Sequence, residues 1–175
     1  MLAVTSQSNL PAHMFNKFVQ NMIQGLGILV VDDNAYMRRV TRMMLMNLGA
    51  KSVYEASDGL AALEIIRIYD PDIMVIEWDM PVLSGPEVMR IVRSPEVFPR
   101  PELPVIMLTD RAKRSDVIEA MRLGAHEFLI KPTSPKALQD RLLSIFCSPR
   151  PMVQIGDYYV PEPRIRRQAP PPPPN

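Results

Sequence analysis

Between Gly27 and Phe146 the chain alternates short apolar or β-branched runs with amphipathic stretches of helical period, five times over. The runs are GILVV (27–31), SVYEA (52–56), DIMVI (72–76), PVIML (104–108) and EFLI (127–130). The first stripe is Met37, Val40, Met44 and Leu48, closed by Gly49, and the second is Leu60, Leu63 and Ile66. Val88, Ile91 and Val92 form the third. Val117, Ile118 and Met121, closed by Gly124, form the fourth, and Leu138, Leu142 and Ile145 the fifth. Glycine after the last apolar position is the usual left-handed helix stop. Such alternation predicts an α/β fold: a doubly wound five-stranded parallel sheet with helices on both faces. Runs such as ILVV and IMVI are apolar on both sides, as central strands of that sheet must be. The methionines in the stripes read as core filler.

The flanks differ from this middle, and three segments result: 1–26, 27–147 and 148–175. In the first, Met14, Phe15, Phe18, Val19, Met22 and Ile23 fall on one helical face after Pro11, and Gly25 and Gly27 stop the pattern. This predicts a short amphipathic helix that either packs on its own domain or offers an apolar face to a partner or a second copy, as in a homodimer. The last segment holds nine of the 19 prolines. Proline supplies no ladder or helix donor, so this tail is expected to be largely disordered and to end in an extended polyproline spacer. Arg164, Arg166 and Arg167 beside the proline run read either as part of a docking motif or as a solvated tail.

Charge and cysteine content exclude several classes. A net charge of +1 with 22% charged residues carries no footprint for nucleic acid or membrane surfaces. One cysteine, Cys147, excludes a disulfide framework and a cysteine zinc site, and fits a reducing cytoplasm. No apolar run approaches a membrane span, and the N-terminal stretch lacks the pattern of a secretory signal.

Open parallel sheets bind ligands at the carboxyl ends of their strands, where the winding reverses. There the sequence places Asp32 and Asp33 after GILVV, and Glu77 after DIMVI. Thr109 follows PVIML, and Lys131 with Pro132 follows EFLI. If these strands are neighbours, three carboxylates, a hydroxyl and an ammonium share one crevice. Carboxylates so close repel unless a cation is present, and oxygen ligands suit Mg²⁺. A lysine and a hydroxyl suit phosphoryl oxygens. Asp33 or Asn34 alternatively caps the following helix.

At these residues the sequence resembles a known family. ILVVDDNAYMRRVTRMML, EASDGLAALEII, PDIMVIEWDMPVLSG, PVIMLTD and GAHEFLIKP are similar to the receiver domain of bacterial response regulators, particularly the single-domain chemotaxis (CheY-like) type. The resemblance covers about 27–146. It implies a flavodoxin-like sheet ordered 2-1-3-4-5 and a signalling module, not an enzyme. It also implies Mg²⁺ held by Asp32, Asp33, the acceptor position and the main-chain carbonyl of Asp79. Thr109 and Lys131 match the residues that bind the phosphoryl group, and Phe128 the aromatic switch residue. Gly85 matches the turn glycine after the third strand, and Lys131–Pro132 a cis bond. The implied partners are a histidine kinase or phosphotransfer protein and a downstream protein target. The implied output surface lies on the helix after the fourth strand, with the fifth strand and helix. In this sequence that helix opens with TDRAKRSD, where Asp110 and Arg111 replace smaller residues. Either the bulk of Asp110 and Arg111 alters how that loop closes over the site, or Arg111, Lys113 and Arg114 form a solvated helix start.

Glu77 departs from the pattern, since receivers carry aspartate there as the nucleophile that forms an acyl phosphate. Glutamate pushes its oxygens about 1.3 Å further into the space of the incoming phosphorus, and in-line transfer is sensitive to such offsets. Inefficient phosphorylation at Glu77 is therefore expected. Three readings follow. Glu77 reaches toward Thr109 and Lys131 and mimics the phosphorylated state; the domain is a phosphorylation-independent pseudo-receiver; or Asp79 substitutes as acceptor. A rival class, the magnesium-dependent phosphatase of haloacid dehalogenase type, needs Asp-x-Asp after its first strand, whereas Asp32 and Asp33 are adjacent.

Overall fold

A computed structural model of the chain describes residues 11–110, 113–156 and 158–163. The predicted disorder of the tail beyond Pro163, including Arg164, Arg166 and Arg167, lies outside the described residues, as does Arg111. The described elements run α1 (Ala12–Gln24), β1 (Gly27–Val31), α2 (Ala35–Asn47), β2 (Ser52–Ala56), α3 (Gly59–Tyr69) and β3 (Ile73–Ile76). They continue α4 (Gly85–Val92), β4 (Val105–Thr109), α5 (Arg114–Arg122), β5 (Glu127–Ile130) and α6 (Pro135–Cys147). A closing pair of strands follows, β6 (Met152–Ile155) and β7 (Tyr158–Pro161).

The first five strands pair in parallel in the order β2-β1-β3-β4-β5, the flavodoxin-like order. Because side chains alternate across a strand, each apolar run feeds two cores. Leu29, Val31, Met74, Ile76, Val105 and Met107 face α3, α4 and α5, where Ile66, Val88 and Ala120 meet them. Ile28, Val30, Ile73, Val75, Ile106 and Leu108 face the other way, onto Leu45 of α2 and Leu138 and Leu142 of α6.

The amphipathic N-terminal helix packs on its own domain. Val19 and Ile23 of α1 are fully buried in the second core, and Phe15 and Met22 flank them. Met14 and Phe18, at the margin of the predicted apolar face, remain half exposed.

The segment after Cys147 departs from expectation. Residues 148–156 and 158–163, predicted to belong to a largely disordered tail, instead contain an antiparallel hairpin, Val153 opposite Val160 and Ile155 opposite Tyr158. The hairpin lies back on the domain: Tyr159 N–H donates to the Arg93 carbonyl at 3.1 Å. The Arg150 guanidinium donates to the His126 carbonyl. Strand pairing and these anchors satisfy backbone groups that the prolines leave in short supply.

Candidate functional site

The carboxyl ends of β1 and β3 lie side by side because Val31 pairs with Ile76. Each strand therefore delivers its next residue to the same rim. A cavity of about 510 Å³ opens there, lined by Asp32, Asp33, Glu77, Asp79 and Lys131, together with Asn34, Met37, Asp110 and Pro132. Three acids and the lysine expected at strand ends are thus brought together, with Asp79, which the resemblance adds. Thr109 ends β4 fully buried and is not among the lining residues; its carbonyl accepts from the Lys131 N–H at 2.8 Å, which fixes the start of the Lys131–Pro132 turn. That peptide bond is cis, as the family resemblance implies.

Local structure sets each side chain. Asn34, not Asp33, caps α2, accepting from Tyr36 N–H at 3.0 Å and Met37 N–H at 3.2 Å. Asp33 is thereby left exposed toward the cavity, while Asp32 is buried and accepts from Asn34 N–H at 2.9 Å. Arg38, one turn into α2, donates to the Asp32 carbonyl at 2.7 Å. After β3 the chain turns sharply, and Gly85 N–H donates to the Trp78 carbonyl at 2.9 Å. A side chain at Gly85 would meet the Glu77 carbonyl at 2.3 Å, so only glycine lets α4 start against this turn. Val82 within the same loop sits at φ 69°, a costly left-handed conformation for a β-branched residue.

Glu77 is 5% exposed and both its oxygens are engaged. Oε1 accepts from Trp78 N–H at 2.6 Å and Asp79 N–H at 3.3 Å. Oε2 accepts from Lys131 Nζ. The same ammonium reaches Asp32 Oδ2 at 2.6 Å, so Lys131 bridges the two buried acids. Burial opposes the charge on Lys131, but its hydrogen bonds to Asp32 and Glu77 and their negative charges prevail, raising its pKa above the ordinary lysine value. Phe128 is half-buried on the α5 side of β5, packed against the first core.

In chemical kind the donors fit a hard cation, since Asp32, Asp33 and Asp79 offer only oxygens at one cavity. In position, Lys131 stands between Asp32 and Glu77, and among the described residues no three acidic side chains converge on one metal point. Asp110, read from sequence only as bulk in the loop after Thr109, lines the cavity as a further acid. Arg38 escaped the sequence reading; a basic residue one turn into a helix gives no signal of its bond to Asp32.

A family model described as "Response regulator receiver domain" matches residues 28–143. Chemotaxis protein CheY-3 of Vibrio cholerae is 37% identical over 123 residues, covering 70% of this chain and 93% of that protein. Chemotaxis protein CheY of Pseudomonas aeruginosa is 37% identical over 119 residues, 68% of this chain and 94% of that one. Among solved structures, chemotaxis protein CheY4 of Vibrio cholerae superposes with a TM-score of 0.62 at 28% identity, covering 69% of this chain and 98% of that one. The receiver domain of a Pseudomonas aeruginosa sensor histidine kinase, with a magnesium ion coordinated in its active-site cleft, gives 0.60 at 31% identity. It spans 68% of this chain and 95% of that one.

Proposed function

The chain belongs to the response regulator receiver family, and from that premise we propose that it is an atypical receiver of bacterial two-component or phosphorelay signalling. It acts by protein contact in the cytoplasm, between a histidine kinase or phosphotransfer protein and a downstream target, and Glu77 fills its acceptor position. The observation that carries this reading is the engagement of Glu77 by Lys131 and by the amides of Trp78 and Asp79. An ammonium and two N–H donors are the groups that would stabilise phosphoryl oxygens at this rim. A carboxylate that already occupies them imitates a phosphorylated side chain, incompletely, with one charge where a phosphate has nearly two. The equilibrium between receiver conformations is then biased by a residue the chain carries permanently.

The remaining roles follow from position. Asp32, Asp33 and the main-chain carbonyl of Asp79 are the groups that would hold Mg²⁺. Glu77 would share it only by releasing Lys131. Bound there, the ion supplies positive charge to a cavity lined by five carboxylates. Thr109 and Lys131 are the phosphoryl-binding pair, and Phe128 the residue whose packing reports the state of the switch. Asp79 is exposed on the turn and is not the acceptor in this reading.

Beryllofluoride, a phosphoryl analogue that needs a correctly placed aspartate, tests the proposal in the full chain. With Mg²⁺ present, amide NMR signals of residues 109, 128 and 131 are expected to stay in place in the wild type. In Glu77→Asp they are expected to move. Equal shifts in both proteins would overturn the proposal.

A further inference from the structure

The hairpin β6–β7 lies beyond residue 143, where the match to the receiver family ends, and it forms a sheet of its own. Such a sheet has two edges, and an unpaired edge is a template for another strand. One edge is taken up by the domain, since Tyr159 N–H of β7 donates outward to the Arg93 carbonyl at 3.1 Å. The other edge, β6, is open. Glu162 N–H donates to the Pro151 carbonyl at 2.9 Å, so the hydrogen-bonded pairs of the antiparallel ladder fall at residues 151, 153 and 155. The N–H and C=O groups of Met152 and Gln154 therefore point away from β7. Among the described residues no hydrogen bond reaches them.

This open strand is also unguarded. Sheet edges are ordinarily blunted by charge, proline or a bulge. At β2, an edge of the main sheet, Glu55 stands in ion pairs with Arg38 and Arg42. By contrast β6 reads MVQI, with no charge and no proline, and both Gln154 and Ile155 are exposed. A ribbon of two strands is marginal by itself, and further strands stabilise it.

The strand is complementary to itself. We propose that β6 pairs antiparallel with β6 of a second copy, about a two-fold axis at Val153, so that the two hairpins form one continuous sheet across a homodimer. With Val153 opposite its twin, Met152 of each copy exchanges both hydrogen bonds with Gln154 of the other, and the free groups of both strands are satisfied. Val153 then occupies a non-hydrogen-bonded position, where facing side chains approach most closely, so an apolar pair lies on the axis. Continued outward, the register sets Arg150 opposite Gly156, and like charges do not face each other. A register with Gln154 opposite itself is poorer. It sets Met152 against Gly156, whose carbonyl already accepts from Gln154 Nε2 at 3.2 Å. The chain's own continuation ends in a proline run, which has no N–H to donate to an edge. The pairing uses nothing at residue 77.

Sedimentation equilibrium of the full chain tests the proposal. A monomer–dimer equilibrium is expected, and Gln154→Pro is expected to raise its dissociation constant about tenfold or more, because each copy loses a donor at the pairing edge. Gln154 N–H takes no part in the β6–β7 ladder, so the variant is expected to keep the nuclear Overhauser contact between Val153 and Val160. Phe18→Ser, on the half-exposed face of α1, is expected to leave the constant unchanged. In a mixture of differently labelled wild-type chains, an intermolecular contact between Val153 methyl groups is expected. A monomer at millimolar concentration, a dimer as tight in Gln154→Pro, or a dimer lost in Phe18→Ser would each overturn the proposal. So would a wild-type dimer without the intermolecular Val153 contact.

Discussion

One methylene separates Glu77 from the aspartate of the receiver pattern, and its consequences are local. The extra length lets one carboxylate satisfy two backbone amides and an ammonium at once. Lys131 is thereby drawn into a bridge with Asp32, at the point where a cation would otherwise neutralise the acids. The residue that sets the turn is Gly85, because its α-carbon packs against the Glu77 carbonyl. Gly85→Ala is expected to lose about 2 kcal/mol or more of stability, measured by urea unfolding, since backbone must move to admit the methyl group. The roles of Asp32, Asp33, Glu77 and Lys131 as neighbours were legible because each directly follows an apolar run. Their pairing was not: which acid an ammonium selects depends on distances of a few tenths of an ångström, and spacing carries no such information.

At the scale of elements, the hairpin is held to the domain through a buried arginine. Arg93 Nε and Nη2 donate to the Gly124 carbonyl at 3.1 and 2.9 Å, and Nη1 to the Pro101 carbonyl at 2.7 Å. Its own carbonyl accepts from Tyr159. Burial lowers the Arg93 pKa to about 9, against the pull of Glu102, yet its hydrogen bonds tie α4, the α5–β5 turn and β7 together. Arg93→Met would orphan the buried Gly124 carbonyl and the part-buried Pro101 carbonyl, so a loss of about 2 kcal/mol is expected. Faster amide exchange at residues 158–160 would show the hairpin loosened. The five sheet strands and the six helices were readable from periodicity, because burial demands unbroken apolar runs in strands and apolar stripes on helices. The hairpin was masked by Pro149, Pro151, Pro161 and Pro163, which argue against a ladder. β6 and β7 form a two-stranded sheet of their own, which needs few ladder donors, and Pro161 sits at a strand end. The Gly156–Asp157 pair between MVQI and YYVP is the signal that identifies it.

For the whole molecule, the two flanking segments extend the receiver on opposite sides: α1 completes the core over α2 and α6, and the hairpin covers the end of α5. The second attachment makes stability depend on acid. Burial, with Arg93 and Arg150 close by, pushes His126 down to about 3, and its Nδ1 accepts from Val105 N–H at 3.3 Å, which requires the neutral ring. The unfolded chain binds a proton at this histidine below about pH 6.5, whereas the folded chain does not until about pH 3. Stability is therefore complete above about pH 6.5 and is lost as pH falls through that window. At pH 5 the loss from this group is about 2 kcal/mol, and His126→Gln is expected to flatten the dependence of the urea midpoint between pH 7 and 5.

The central claim, that Glu77 occupies the acceptor position with a carboxylate that does not take up a phosphoryl group, is tested most directly by intact mass. The full chain and its Glu77→Asp variant are incubated side by side with Mg²⁺ and acetyl phosphate. An adduct of ~80 Da, one phosphoryl group on an acyl linkage, is expected on the variant and not on the wild type. Labelling of the wild type at the rate of the variant would contradict it.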